Sequence, residues 1–114
     1  MATSNGWIWY GRPGHFIAAD NCRFHMATKV GKYLISTVGD YFPMNAEKRE
    51  EIGYKRFYET MVFKAGKPCK ADGCRCGMPA IDGQELDFAP YNTAEDAQEG
   101  HLAMCEKYEA SHDR

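Results

Sequence analysis

The sequence predicts an α+β protein: an antiparallel sheet of about four or five strands, a cysteine-rich loop, and a C-terminal helix packed on the sheet. Three observations carry this. Cys22 to Val30 alternates strand-fashion, with Cys22, Phe24, Met26 and Thr28 on one face and Arg23, His25, Ala27 and Lys29 on the other. Runs rich in β-forming residues flank a two-residue Gly31-Lys32 break, the signature of a tight hairpin. Ala97, His101, Met104, Cys105 and Tyr108 repeat at helical spacing.

The elements follow in chain order. Trp7 to Tyr10 is a short aromatic strand that stops at the turn Gly11-Arg12-Pro13-Gly14. His15 to Ala19 resumes an extended apolar run, which Asp20-Asn21 breaks. Cys22 to Val30 and Tyr33 to Val38 form the hairpin, with Gly first in a type II′ turn. Asn45 to Ile52 is expected to be a short charged helix, capped by Asn45 and ended by Gly53, with a solvated surface turn as the alternative. Tyr54 to Lys64 is the next strand. Pro68 to Pro79 has almost no apolar residue and cannot fold around a core of its own. Thr93 and Asp96 fit a capping box opening the last helix. One domain over 1–114 is expected, with the sheet in 7–64, the cysteine-rich loop in 65–90 and the helix in 93–109.

Composition excludes some classes of function. The 114 residues are 44% hydrophobic and 26% charged, typical of one small globular domain. Net charge is −2, so the strong positive field of a duplex-DNA binder is missing. No apolar run approaches the roughly 20 residues that span a bilayer, and Met1 to Gly6 lacks the features of a leader. A cytoplasmic protein with no membrane partner is expected. There, five clustered and unclustered cysteines favour metal or free thiols over disulfides.

The cysteines suggest structural zinc. The loop offers Cys69-x4-Cys74-x-Cys76, and the helix offers His101-x3-Cys105 on one face. Thiolate and imidazole are the ligands zinc prefers, in sets of four. His101 and Cys105 with two or three of Cys69, Cys74 and Cys76 would clasp the loop to the helix. The alternative is a core Cys105, a hydrogen-bonded His101 and free loop thiols. A catalytic zinc would need an open position and a nearby acid or base, and no known motif supplies them.

A second cluster lies on the strands. His15, Arg23, His25, Ser36, Thr37, Arg56, Tyr58, Glu59 and Thr60 offer cations and hydroxyls that suit an anion or a nucleotide phosphate. Tyr33, Tyr58 or Trp9 could stack on a base. The plainer reading is the solvated face of an antiparallel sheet. Glu59 among apolar neighbours suggests a partner such as Arg23 or His25. No nucleophile elbow, P-loop, HExxH or dinucleotide fingerprint occurs, and no catalytic residue is assigned.

Several phrases resemble a family of small proteins encoded by tailed bacteriophages and prophages. They are Gly14-His15-Phe16-Ile17, Cys22-Arg23-Phe24-His25, the run Leu34 to Tyr41, the run Tyr58 to Phe63, Cys74-Arg75-Cys76-Gly77, the run Ile81 to Leu86, and Gly100-His101-x3-Cys105. The resemblance implies expression in the bacterial host cytoplasm during infection, as an accessory product and not a virion part. It brings no activity. Its phrases include the strand residues as well as the zinc set, which favours a pocket on the sheet. By size and lifestyle alone, phage proteins that sequester nucleotide immune signals offer an analogy.

The expected function is therefore a non-enzymatic phage accessory or counter-defence protein. It would bind a small anionic nucleotide-like ligand, or a host defence protein, through its sheet. One alternative is a zinc-stabilised nucleic-acid-binding module using Arg23, Lys29, Lys32, Lys55 and Arg56. Another is a small hydrolase with His15, His25 and Glu59 as acid and base groups. Homo-oligomerisation is left open.

Overall fold

A computed structural model describes residues 3–4, 7–11, 22–68 and 79–112. Within them, six strands form one sheet: β1 (Thr3–Ser4), β2 (Trp7–Gly11), β3 (Cys22–Val30), β4 (Tyr33–Tyr41), β5 (Tyr58–Pro68) and β6 (Pro79–Tyr91). Each pairs antiparallel with its neighbour in sequence, so the sheet is a meander. The helix α1 (Ala94–His112) follows. The α+β expectation holds at this level. The run His15 to Ala19 and the loop cysteines lie outside the described residues.

The β3–β4 hairpin closes as expected. Val30 pairs with Tyr33, and φ is positive at Gly31 (59°) but not at Lys32, the pattern of a type II′ turn. The alternation of β3 also holds. Thr28 and Val30 lie beneath α1, while Ala27 packs on the other face with Leu34, Tyr10 and Ala65. Both faces of the central strands are buried, so the sheet has no simple solvated side there.

Three segments differ from expectation. Residues 45–52 form turns, the stated alternative, and not a helix: Asn45 is left-handed (φ 67°), and Glu50 bridges back to Tyr41. Eight residues make a marginal helix, and here Arg49 is held elsewhere. It donates to Asp40 Oδ1 (2.9 Å) and Tyr58 Oη (3.0 Å) and stacks on Phe57 (4.2 Å). The fifth strand, β5, starts at Tyr58 and not at Tyr54, because Gly53 and Arg56 close a tight turn with Lys55 left-handed (φ 56°). Pro79 to Tyr91, expected as the end of the cysteine-rich loop, is a strand of 13 residues.

That strand is an edge of the described sheet, which is where proline is tolerated. Its edge is blunted. Pro90 has no N–H, and the Phe88 N–H donates to the carboxylate of Asp87 (2.8 Å). Both features discourage pairing with another chain.

α1 begins as expected, with the Asp96 N–H donating to Thr93 Oγ1 (3.1 Å). Ala97, His101, Met104 and Cys105 are buried. Val30, Ile35, Val62, Met104 and Cys105 form the core on this side, flanked by Trp7, Tyr33, Ala89 and Tyr108. Polar clips tie the helix to strands on both sides. Trp7 Nε1–H donates to Glu109 (2.8 Å), while Lys107 (2.7 Å) and Tyr108 (3.1 Å) reach Asp87 on β6.

Gly39 is needed for closeness and not for a special φ. A β-carbon there would lie 2.0 Å from the ring of Tyr58. Tyr58 is buried and donates to Asp40 Oδ1 (2.7 Å), so the ring has little room to yield. Gly39→Ala should destabilise the protein by about 1–3 kcal/mol, read as a lower urea midpoint. An unchanged midpoint would show that the ring moves freely.

Candidate functional site

The structure divides the expected strand residues among several places. Register puts Thr37 and Thr60 on the sheet face beneath α1, and His25, Ser36 and Glu59 on the opposite face. Thr37 and Thr60 are fully buried and hydrogen-bonded to each other (2.5 Å). His25 Nε2 lies 3.3 Å from Ser36 Oγ, both groups being buried. Arg56 pairs with Glu59 at 3.3 Å and lies over the Phe88 ring at 4.6 Å. Burial pushes the Glu59 carboxyl up, and the Arg56 charge partly offsets this. Tyr58 belongs to the Asp40–Arg49 cluster. Arg23 is exposed, its guanidinium 3.7 Å above the Phe42 ring. His15 lies outside the described residues. The expected cluster is thus a set of separate pairs.

His101 is the polar hub of the core: the first expectation made it a zinc ligand, and the alternative, a hydrogen-bonded core histidine, matches its contacts. Its Nε2 lies 2.9 Å from Thr28 Oγ1, and its Nδ1 lies 2.7 Å from Thr37 Oγ1. Thr28 also hydrogen-bonds the Cys105 thiol. A chain Cys105–Thr28–His101–Thr37–Thr60 therefore crosses the core with a partner at each step. Burial, with a smaller contribution from His25, lowers the His101 pKa to about 4, so the ring is neutral near pH 7.

This bears on the metal expectation. A ligand nitrogen must offer its lone pair to zinc, and both ring nitrogens of His101 are engaged by hydroxyls. Burial raises the Cys105 thiol to about 12 and the Cys22 thiol to about 11, the range of inert core cysteines. Among the described residues, no group of three or more His, Cys, Asp or Glu side chains is placed to hold a metal. Cys69, Cys74 and Cys76 lie outside them.

A pocket of about 320 Å³ opens where the sheet meets α1, lined by Trp9, Phe24, His25, Met26 and Gln98. Its position follows from strand lengths. β2 pairs with β3 only as far as Ala27, so residues 22–26 have no β2 partner. The pocket lies along this stretch of β3, beside the first turns of α1. Trp9 is 39% exposed and meets the His101 ring perpendicularly, with centroids 5.8 Å apart. Phe24 stands edge-on to Tyr58 (5.2 Å). The walls are aromatic and thioether, and the Gln98 amide supplies a polar edge; the His25 imidazole is turned to the opposite face, against Ser36. No Lys, Arg, Asp or Glu is among the described lining residues.

Trp9 and His25 were legible as candidates. Phe24, Met26 and Gln98 were not. Their only signal is position: Phe24 and Met26 share the Thr28 face, and Gln98 sits three residues before His101 on the helix flank.

Comparison with protein-family models, with curated proteins and with solved structures finds no match. Among the described residues, no helix is long and apolar enough to cross a membrane.

Proposed function

We propose that the chain is a non-enzymatic accessory protein, of the phage-encoded kind its phrases resemble, that binds a small nucleotide-like ligand where its sheet meets α1. The pocket of Trp9, Phe24, His25, Met26 and Gln98 carries this reading. It is concave, largely apolar and edged by a polar side chain, in the manner of small-molecule sites. Its two rings are already held by contacts within the fold, so little order has to be created on binding.

One observation favours a hydrolase instead: the contact between Ser36 and His25 resembles a nucleophile beside a base. Ser36 is only 2% exposed, which keeps substrate from its hydroxyl. A nucleic-acid module is less well supported, because Arg23, Arg49 and Arg56 each lie over an aromatic ring, and Arg49 and Arg56 are also paired to carboxylates.

A thermal-shift screen of nucleotides, followed by mass analysis of the recovered ligand, tests the proposal. A shift with unchanged ligand supports binding. Hydrolysed product that disappears in Ser36→Ala would establish the enzyme. Retention on oligonucleotides that falls steeply with salt would establish the nucleic-acid module.

Structural zinc is part of the proposal, with Cys69, Cys74 and Cys76 as three of its four ligands. Metal analysis of protein purified without added metal should find about one zinc per chain, and a chelator should lower stability. Because both nitrogens of His101 are engaged, His101→Gln should keep the metal, whereas replacing Cys74 and Cys76 together should release it. Metal-free protein from careful preparation would refute the idea.

A further inference from the structure

We infer that the pocket beside α1 is a nucleobase site that takes an adenine-type ring and leaves the phosphate outside. This deepens the ligand-binding reading above and rests on it. A pocket of about 320 Å³ stands at the small end of the roughly 300–1,000 Å³ typical of ligand sites. It has room for a base with part of its sugar, not for a whole dinucleotide.

The lining chemistry matches a flat heteroaromatic ring. Trp9 is partly exposed although it is a large apolar ring, and it is anchored against His101. Phe24 is anchored against Tyr58. Base stacking on such rings is the main attraction that every nucleobase can feel. Met26 adds a soft side chain that adapts to ring shape. Selectivity falls to Gln98, which is exposed on α1 and lines the same pocket. Its amide carries both an acceptor and donors, and this pairs in two-pronged fashion with the amino group and ring nitrogen of adenine. Guanine, which offers two acceptors on that edge, suits arginine better. No cation stands among the described lining residues to hold a phosphate.

The test is titration of intrinsic tryptophan fluorescence in the full chain with adenosine, adenosine monophosphate, guanosine, cytidine and uridine. Saturable quenching by adenosine is expected, with adenosine monophosphate within about threefold of it and the other nucleosides weaker by about tenfold. Gln98→Ala changes an exposed side chain and should fold normally. It should erase the preference for adenosine. Trp9→Leu removes the reporting indole, so its binding is read by isothermal titration calorimetry; adenosine should bind at least about tenfold more weakly than to the wild type, with folding checked by circular dichroism. If Trp9→Leu weakens all nucleosides alike while Gln98→Ala leaves the preference unchanged, the adenine assignment fails and the ligand-binding reading stands; if nucleotides bind but neither substitution alters them, the ligand sits elsewhere and both readings of this pocket fall. If the monophosphate binds more than about tenfold tighter than adenosine, the assignment of the pocket to the base alone fails. If guanosine is preferred, the adenine assignment fails. If no nucleoside or nucleotide binds, both readings fall.

Discussion

His101→Ala is expected to destabilise the protein by about 3–5 kcal/mol, the range seen when a buried ring is truncated. The imidazole is fully buried between α1 and the sheet, and it joins two hydroxyls on neighbouring strands. Truncation leaves a cavity and removes both of those hydrogen bonds. The hydroxyls are not wholly stranded, because Thr28 keeps Cys105 and Thr37 keeps Thr60. That keeps the penalty near the packing term and below the sum of packing and two unsatisfied groups. Urea unfolding followed by circular dichroism measures it, with an unchanged slope showing that the same surface is exposed. A loss below about 1 kcal/mol would mean that His101 is not the hub of this core. Thr37→Val offers a milder check: it keeps the volume but removes the hydroxyl that links His101 to Thr60.

The helix position of His101 was legible, and spacing alone did not decide its role. Spacing put Ala97, His101, Met104 and Cys105 on one face of α1, and they are the buried face. The same spacing suggested paired zinc ligands, because two residues four apart share a direction whether they face a metal or a core. What distinguishes the cases is the partner. Thr28 and Thr37 lie more than sixty residues away in sequence, and only the antiparallel register of β3 and β4 brings both hydroxyls to the ring. Local pattern cannot carry that information.

The strand reading shows the same division. β3 and β4 announced themselves through alternation and a glycine turn. β6 did not, because prolines at both ends, Gly83 and several charges read as a loop. Yet Asp87, Ala89 and Tyr91 alternate with Leu86, Phe88 and Pro90. An edge strand tolerates exactly those interruptions, since one side of it need not pair. The residues of the expected sheet-face site are divided between faces for a related reason. Thr37 and Thr60 point beneath the helix while Ser36 and Glu59 point away, and residues one apart in a strand cannot share a face. The pocket draws on β2, β3 and α1 at once, so no single segment could signal it.

The neutral state of His101 makes acid sensitivity the second large expected effect. Burial holds its pKa at about 4, against an ordinary value of 6.5. Between those values the unfolded chain binds a proton that the folded chain refuses, so folding loses stability as pH falls. The contribution is fully present above about pH 6.5 and lost by about pH 4. At about 1.4 kcal/mol per tenfold change in proton affinity, it amounts to about 3 kcal/mol. Two carboxylates lie nearby in the titration range. Glu59, raised by burial, acts in the opposite direction, favouring the fold as pH drops. Asp87, lowered first by its hydrogen bond from Lys107, loses its contribution only below its ordinary value of 3.8. The clean measurement is therefore a difference. Urea midpoints of the wild type and of His101→Leu, taken from pH 7.5 to pH 4.5, should converge as the solution becomes acidic. Leucine fills much of the ring's volume but binds no proton, so its stability should lack the downward slope. Parallel curves for the two proteins across that range would mean that His101 takes up its proton at the same pH folded or unfolded, and that the ring is not shut away from water as the Thr28 and Thr37 contacts require.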